Sequence, residues 1–576
     1  MLASHRKITE VQAYEIDLAN DSGLRQKSTF QLMSTLAGHR ANIGYTRIDV
    51  KNYLKAKRQR SMVYGEIGCL LQYFQRQLLE NPSFFHAYQM DIDEQITNVF
   101  WADANMILDY GYFGDVVSLD TTYCTNRANR PLALFSGFNH YRGIVIFGAT
   151  LLYDETTESF KWLFETFLEA HNQQKPQTIF TDQDQAMAKA LFEVMLETRH
   201  GLCTWHLLQN GIKHLGNLMK GGSYFLRDFK KCMYDLDTKE EFEIAWNRLI
   251  TDYSVHDNNG IKSVYAIKEK WASCYMKEIF TLGMRSTQLS ESLNSNFKSC
   301  MNPNVDIIQF FKHFERVVEE KRYNELTYEY ESLHKLAMLR YELSPILIQM
   351  AKVYTHIVFD LFQNEFKLFL ASCILERNET HSLCQYVITR VNHEGSWRVS
   401  FDRASNSITC SCRKFETFGI LCSHALKVFE TNDVKVIPEK YIIKRWTREA
   451  RNGIVHDVRG KEVEGDPILS STRRYKQLVF KFVRLAADVS TFEEYHKIVD
   501  NNVDVMCKEI QELRLQAKST GNHNNDNLIF VSDGGKLPKG FKHKPGLKRN
   551  KRLEGWVELQ SNRKKKLQVK SHRCVN

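Results

Sequence analysis

GDVVSLDTTYCTN at 114–126 opens a series of short apolar, branched-rich runs at 116–119, 132–138 and 144–152, separated by polar turns. Runs of that length and composition suit three consecutive strands. A helical stretch at 159–170 follows, then a strand at 177–181, a helix at 185–197 and a short extended piece at 201–204. Strand, strand, strand, helix, strand, helix is the order of an RNase H-like core, so the fold class expected is α+β or α/β with a mixed sheet.

Two carboxylates end predicted strands in this series. Asp120 closes the first strand, in LDTTY, and Asp182 closes the fourth, in TDQDQAM. The carboxyl edge of such a sheet is where α/β sites gather. Glu291, in SESLNS at 290–295, opens a helix further on and is the third candidate. Three carboxylates around two Mg2+ ions would activate a water or 3′-hydroxyl and stabilise the leaving oxygen of a phosphodiester, and hard oxygen ligands suit Mg2+. Each acid alone also reads as a helix cap or a turn residue, and Asp184 stands where a cap would. Cys203-Thr204-Trp205-His206 is a CxxH pair after the last strand: half of a metal site, or a hydrogen-bonded core pair, which the spacing alone favours.

Further along, CSCRKFETFGILCSH at 410–424 places Cys410, Cys412, Cys422 and His424 in the pattern Cys-x-Cys-x9-Cys-x-His. Thiolate and imidazole are the ligands Zn2+ prefers, and a closed structural site takes four of them. Residues two apart in extended backbone share a face, so Cys410 and Cys412 can hold one ion. Cys422 and His424 precede an apolar run at 425–429 that reads as a short helix, whose N-terminus favours thiolate.

Composition narrows the class. The 576 residues are 43% hydrophobic and contain no run of eighteen apolar residues and no hydrophobic signal core at the N-terminus, which predicts a soluble, intracellular protein without a membrane partner. Thirteen scattered cysteines do not make a disulfide scaffold. The net charge of +10 is concentrated at the end: residues 536–576 hold fourteen Lys/Arg and two Asp/Glu, leaving 64 against 66 in the preceding 535. Lys548, Arg549, Lys551 and Arg552, followed by Arg563, Lys564, Lys565 and Lys566, suit phosphate contact or nuclear import, the alternative being a solvated tail without a partner.

The expected organisation is a helical N-terminal region at 1–105, the core at 106–300 with a helical insertion at about 207–285, a helical region at 301–380, a zinc module at 381–432, a helical region at 433–514, and a disordered basic tail at 515–576. Helical periodicity marks 62–79, and Phe242, Ala245, Trp246, Leu249 and Tyr253 form one stripe in the insertion.

Several ordered blocks resemble the plant far-red-impaired-response family, which derives from Mutator-like transposases: NPSFFHAYQMDIDEQITNVFWAD at 81–103, GDVVSLDTTYCTN at 114–126, FTDQDQAMAKA at 180–190, HGLCTWHL at 200–207 and GMRSTQLSESLNSNF at 283–297. CSCRKFETFGILCSH resembles that family's SWIM zinc finger. The resemblance runs from about 45 to 450. It implies that Asp120, Asp182 and Glu291 match an ancestral acidic triad and that Cys203 and His206 match the CxxH motif of such cores. It further implies a nuclear regulator of transcription, not an enzyme, with one structural Zn2+, DNA as a direct or indirect partner, and homo- or heterodimers with related chains. The complete triad keeps open an active DDE transposase using Mg2+. Family members usually begin with a zinc-binding DNA-reading domain, whereas the first cysteine here is Cys69. A partner-only, heterodimerising modulator is therefore the third expectation.

Overall fold

The computed structural model describes residues 6–519, apart from 25, 62–64, 124, 127, 220–223, 285–287, 302–304, 335–337, 380–382, 393–394, 466 and 491, together with 540–542. The chain begins with a three-helix unit: α1 (Glu10–Asp21), α2 (Gln26–Leu36) and α3 (Arg47–Ser61). Thr9 and Gln12 form a capping box at the start of α1. Ile16, Phe30, Met33, Val50 and Leu54 make a small core of their own. Next comes α4 (Gly65–Glu80), which buries Ile67, Leu70 and Phe74 in the main core.

The region expected to be helical up to 105 then turns into sheet, with β1 (Phe85–Met90) and β2 (Gln95–Ala102) as an antiparallel hairpin. Polar residues interrupt both strands, and β1 is only half-buried, so neither makes a continuous apolar run. Helix α5 (Ala104–Phe113), capped by Asp103, leads into the expected core: β3 (Val116–Thr122), β4 (Leu132–Phe138), β5 (Ile144–Leu151), α6 (Thr157–Ala170), β6 (Thr178–Thr181), α7 (Gln185–Val194) and β7 (Arg199–Leu202). The sheet runs β1-β2-β5-β4-β3-β6-β7, parallel between β3, β6 and β7 and antiparallel elsewhere. Every residue of β3 is buried, as expected for a strand covered on both faces.

The insertion contains α8 (Thr204–Leu215), α9 (Tyr224–Tyr234), α10 (Lys239–Asp252), α11 (Asn259–Ala266) and the short α12 (Ser273–Met276), closed around Phe229, Phe242, Trp246 and Trp271. The chain returns to the main core with α13 (Gln288–Cys300) and α14 (Ile307–His334), whose Phe310, Phe311 and Phe314 meet Trp101 edge-on.

After α15 (Pro345–Val353) and α16 (His356–Leu370), the helical expectation for 301–380 fails at its end. β8 (Ser372–Glu379) begins a second, antiparallel sheet with β9 (Leu383–Arg390), β10 (Ser396–Asp402) and β11 (Ser407–Cys410). α17 (Lys414–Phe418) and α18 (Ser423–Thr431) complete the module. It is not a free finger. Val116 and Phe180 of the first sheet share a core with Cys410, Cys422 and Leu426, and the backbone N–H groups of Thr281 and Leu282 both donate to Thr417 O at 2.9 Å. Arg142 lies between the rings of Phe138 and Phe418, 4.7 and 4.9 Å from their centroids.

The stretch expected to be helical from 433 starts instead as an irregular strap at 434–465, with α19 (Pro467–Val489) and α20 (Glu493–Ser519) only beyond it. Its arginines hold it down. Arg445 donates to Phe113 O (3.0 Å) and Phe138 O and pairs with Asp115, while Arg451 pairs with Asp109 and Glu325 at 2.6 Å each. The expectation of disorder throughout 515–576 also needs correction. Residues 515–519 belong to α20, and β12 (Gly540–Phe541) adds in parallel to β2 at Gln95 and Ile96. Buried Arg130 clamps it by donating to Ile96 O (2.8 Å) and Lys542 O (3.1 Å) beneath the Phe541 ring.

Candidate metal centres

The parallel register of β3 and β6 pairs each residue with one sixty-two positions later: Val116 with Thr178, Val117 with Ile179, Ser118 with Phe180. Continued by two residues, that register sets Asp182 level with Asp120. β7 pairs next to β6 and releases the chain at Cys203, whose N–H donates to Thr181 O (2.9 Å), so the first turn of α8 swings His206 over Asp182. The two acids and the imidazole offer ligand atoms within 4.8 Å of one another. His206 Nδ1 is ion-paired with Asp182 Oδ1, and Asn294 of α13 donates from Nδ2 to Asp120 Oδ2 (2.6 Å).

Burial by itself would push the His206 imidazolium down, but its hydrogen bonds to Asp182 and Cys203, and their charges, raise it to about 11. The core-pair reading of Cys203 and His206 is therefore only half of the arrangement, since His206 also joins the acidic cluster. Asp184 accepts from Met187 N (2.8 Å) and caps α7. Glu291 lies in the first turn of α13, three residues before Asn294, and its side chain falls outside the described residues.

The described donor atoms can hold a cation. Two carboxylates suit Mg2+, but an imidazole in the same cluster belongs with Mn2+, Fe2+ or Zn2+. Any cation there must displace the proton that His206 shares with Asp182.

The second cluster is formed by Cys410, Cys412, Cys422 and His424, whose ligand atoms also lie within 4.8 Å of one another. Cys410 ends β11, and its Sγ is 3.6 Å from His424 Nδ1. Cys422 is the N-cap of α18 and accepts from Ala425 N (3.4 Å). Gly419 (φ +87°) turns the intervening loop, where a Cβ would run into Ile443 and where αL backbone favours glycine. Trp397 stacks on the His424 ring at 3.9 Å and fixes its plane. The sulfurs are strongly coupled: hydrogen bonds from Cys410 and Cys422 hold the Cys412 thiol far below its ordinary range, and Cys422 is pushed up in return. Three thiols converging with one imidazole nitrogen are a donor set that fits a tetrahedral Zn2+. The basic residues Lys548, Arg549, Lys551, Arg552, Arg563, Lys564, Lys565 and Lys566 lie outside the described residues.

Level acids at the carboxyl edge of a mixed sheet, with a Cys3His module packed on that sheet, define a transposase-type core carrying a zinc finger. The MULE transposase domain model matches residues 116–210 and the SWIM zinc finger model matches residues 397–433. Among curated relatives from Arabidopsis thaliana, Protein FAR1-RELATED SEQUENCE 5 is 32% identical over 482 residues, covering 83% of this chain and 61% of the relative. Protein FAR-RED IMPAIRED RESPONSE 1 is 31% identical over 495 residues (86% and 59%), and Protein FAR1-RELATED SEQUENCE 9 is 32% identical over 385 (66% and 70%). The chain belongs to this far-red-impaired-response (FAR1-related) family, and it spans about three fifths of the length of the first two relatives. No described helix is long and apolar enough to cross a membrane.

Asn294 escapes sequence reading because an amide carries no charge to notice; its only signal is its place one helical turn after Glu291. Arg445 and Arg130 are missed for the opposite reason: arginine reads as surface, yet both are buried against carbonyl oxygens.

Proposed function

We propose that this chain is a nuclear regulator of transcription built on a transposase core that does not cut DNA, with one structural zinc at Cys410, Cys412, Cys422 and His424. Its partners in this reading are DNA and related chains. The observation that supports it best is the occupation of the acidic site by the protein's own groups: His206 on Asp182 and Asn294 on Asp120. Two Mg2+ ions at this site would have to displace both contacts. The zinc module, packed into the same core as β3 and β6, acts in this reading as a structural adaptor rather than a base-reading finger.

A second reading, an active DDE transposase using Mg2+ at Asp120, Asp182 and Glu291, draws on the level placement of the first two acids. The purified chain incubated with terminal-repeat duplex and Mg2+ or Mn2+ separates the two. No cleavage or strand transfer is expected; joined products that vanish in Asp120→Asn would overturn the regulatory reading. Nuclear import is tested by replacing Arg563, Lys564, Lys565 and Lys566 with alanine in a fluorescent fusion, which should then spread into the cytoplasm.

A further inference from the structure

The near-neutral balance of the chain before its basic tail hides an uneven distribution. Residues 1–61 hold eleven Lys/Arg against five Asp/Glu, leaving 53 against 61 in residues 62–535. The three-helix unit is therefore a basic body on an acidic one. Within it, α3 alone carries Arg47, Lys51, Lys55, Lys57, Arg58 and Arg60 against a single acid, Asp49.

The inward face of α3 is complete without most of these cations. Val50 and Leu54 are buried in the unit's core, Tyr53 donates to Asp17 Oδ2 (2.9 Å), Lys57 pairs with the same carboxylate (2.7 Å), and Asp49 accepts from Thr46 N (2.7 Å) at the start of the helix. Arg47, Lys51 and Lys55 are exposed and make no ion pair among the described residues. Four-residue spacing sets them about 6 Å apart along the helix axis. A DNA strand carries one negative charge per roughly 3.4 Å of rise, so a row of that length lies within reach of several phosphates. The unit joins the rest of the protein at the far end of α1, where Lys312 pairs with Asp21 (3.3 Å) and Arg316 donates to Asp21 O (3.3 Å).

We infer that the exposed face of α3 is a second nucleic-acid surface, which grips the phosphate backbone of duplex DNA independently of the zinc module and of the basic tail. Charge complementarity selects the partner. A membrane-surface helix needs a broad apolar face, and the outward side of α3 offers one exposed large apolar residue, Ile48. A single-strand binder needs aromatic platforms, and the only ring on α3, Tyr53, faces inward. The ten residues between α2 and α3 are longer than the tight turn of a helix-turn-helix, which fits backbone contact rather than base reading. The inference rests on the proposal that this chain binds DNA.

The test is fluorescence anisotropy of the full chain on a random-sequence duplex, with salt varied from about 50 to 200 mM. Lys51→Glu with Lys55→Glu is compared with wild type and with a tail variant in which Lys548, Arg549, Lys551 and Arg552 are alanine. The α3 variant should bind at least about tenfold more weakly at the middle of that range, with the salt slope flattened by about two, since each lost phosphate contact removes close to one. Its thermal midpoint and zinc content should match wild type, because both side chains are exposed. Wild-type binding left unchanged by the α3 substitutions would overturn this inference and leave the DNA-binding proposal standing. Absence of wild-type binding even at low salt would overturn both. Tighter binding to anionic vesicles or single-stranded RNA than to the duplex would overturn the ligand assigned.

Discussion

Arg445→Ala is the most direct test of whether the zinc module and the transposase core form one body. The guanidinium is buried and serves three acceptors on three elements: Phe113 O at the end of α5, Phe138 O at the end of β4, and the Asp115 carboxylate just ahead of β3. Its neighbour Trp446 donates from Nε1 to Phe418 O (2.8 Å) inside the zinc module. Truncation leaves two carbonyls without that donor, at about 1–3 kcal/mol each where they stay dry, and the partly buried Asp115 carboxylate without its partner. Breaking a buried pair from one side costs about 3–5 kcal/mol in total. Taking about 4 kcal/mol, and about 1.4 kcal/mol per factor of ten, hydrogen exchange at Trp446 N, Gly419 N and Thr281 N should speed up about a thousandfold. The pH dependence has a defined sign. Burial already raises the Asp115 carboxyl although Arg445 opposes it, and the variant loses that opposition. An acid whose folded pKa lies above its unfolded value favours the folded state in its protonated form, so the variant's deficit should shrink as pH falls from 7 towards 5. Asp115→Leu with Arg445→Met should recover at least half of the loss, because neither charge is then stranded. Acceleration below tenfold, or a double variant no better than the single, would refute the reasoning.

Cys422→Ser keeps a capping oxygen for Ala425 N but removes a thiolate, so zinc affinity should fall more than about a hundredfold in a chelator competition; one equivalent of zinc held as tightly as in wild type would contradict the assignment. His171 is fully buried with Nε2 3.0 Å from Phe147 O, and burial lowers its pKa to about 3; His200 is likewise held to about 3. Folded values below the unfolded 6.5 mean that stability present above pH 6.5 is lost as pH falls towards 3. His171→Gln, which can still donate to Phe147 O, should flatten the acid limb of a thermal-midpoint profile, and an unchanged limb would show that His171 does not drive it. Arg130→Ala should release β12 from β2, seen as faster trypsin cleavage near Lys542 with no change in the zinc content; equal cleavage rates would mean that Arg130 does not hold the strand.

What the sequence announces and what it conceals follow from how each element is stabilised. β3, β4, β5 and β6 stand in the middle of a two-sided sheet and are buried almost throughout, so each carries a short apolar run that is visible in the sequence. β1 sits at an edge, β2 has polar Gln95, Thr97 and Asn98 early in its length, and β8 exposes most of its second half, so these read as amphipathic or helical. β12 is two residues long and held by Arg130 from the loop between β3 and β4, which no periodicity can register. The four zinc donors were legible because their chemistry is local to fifteen residues. The acidic cluster was legible in Asp120 and Asp182, but its third described member, His206, depended on β7 ending where it does, a register that only pairing with β6 fixes.

That contrast also bears on where DNA contact is sought. Charge read as a single total sends attention to residues 536–576, because averaging over the preceding 535 cancels a basic unit against an acidic remainder. The fold undoes the cancellation. It encloses Ile16, Phe30, Val50 and Leu54 in a core separate from the main one, which makes residues 6–61 a body with its own sign. Long-range electrostatic attraction acts on such bodies rather than on chain totals, since charges more than about 10 Å apart in solvent are largely screened at 0.1 M salt. In the proposed reading the acidic cluster and the zinc module remain structural, while the surface assigned to DNA lies on a helix carrying neither.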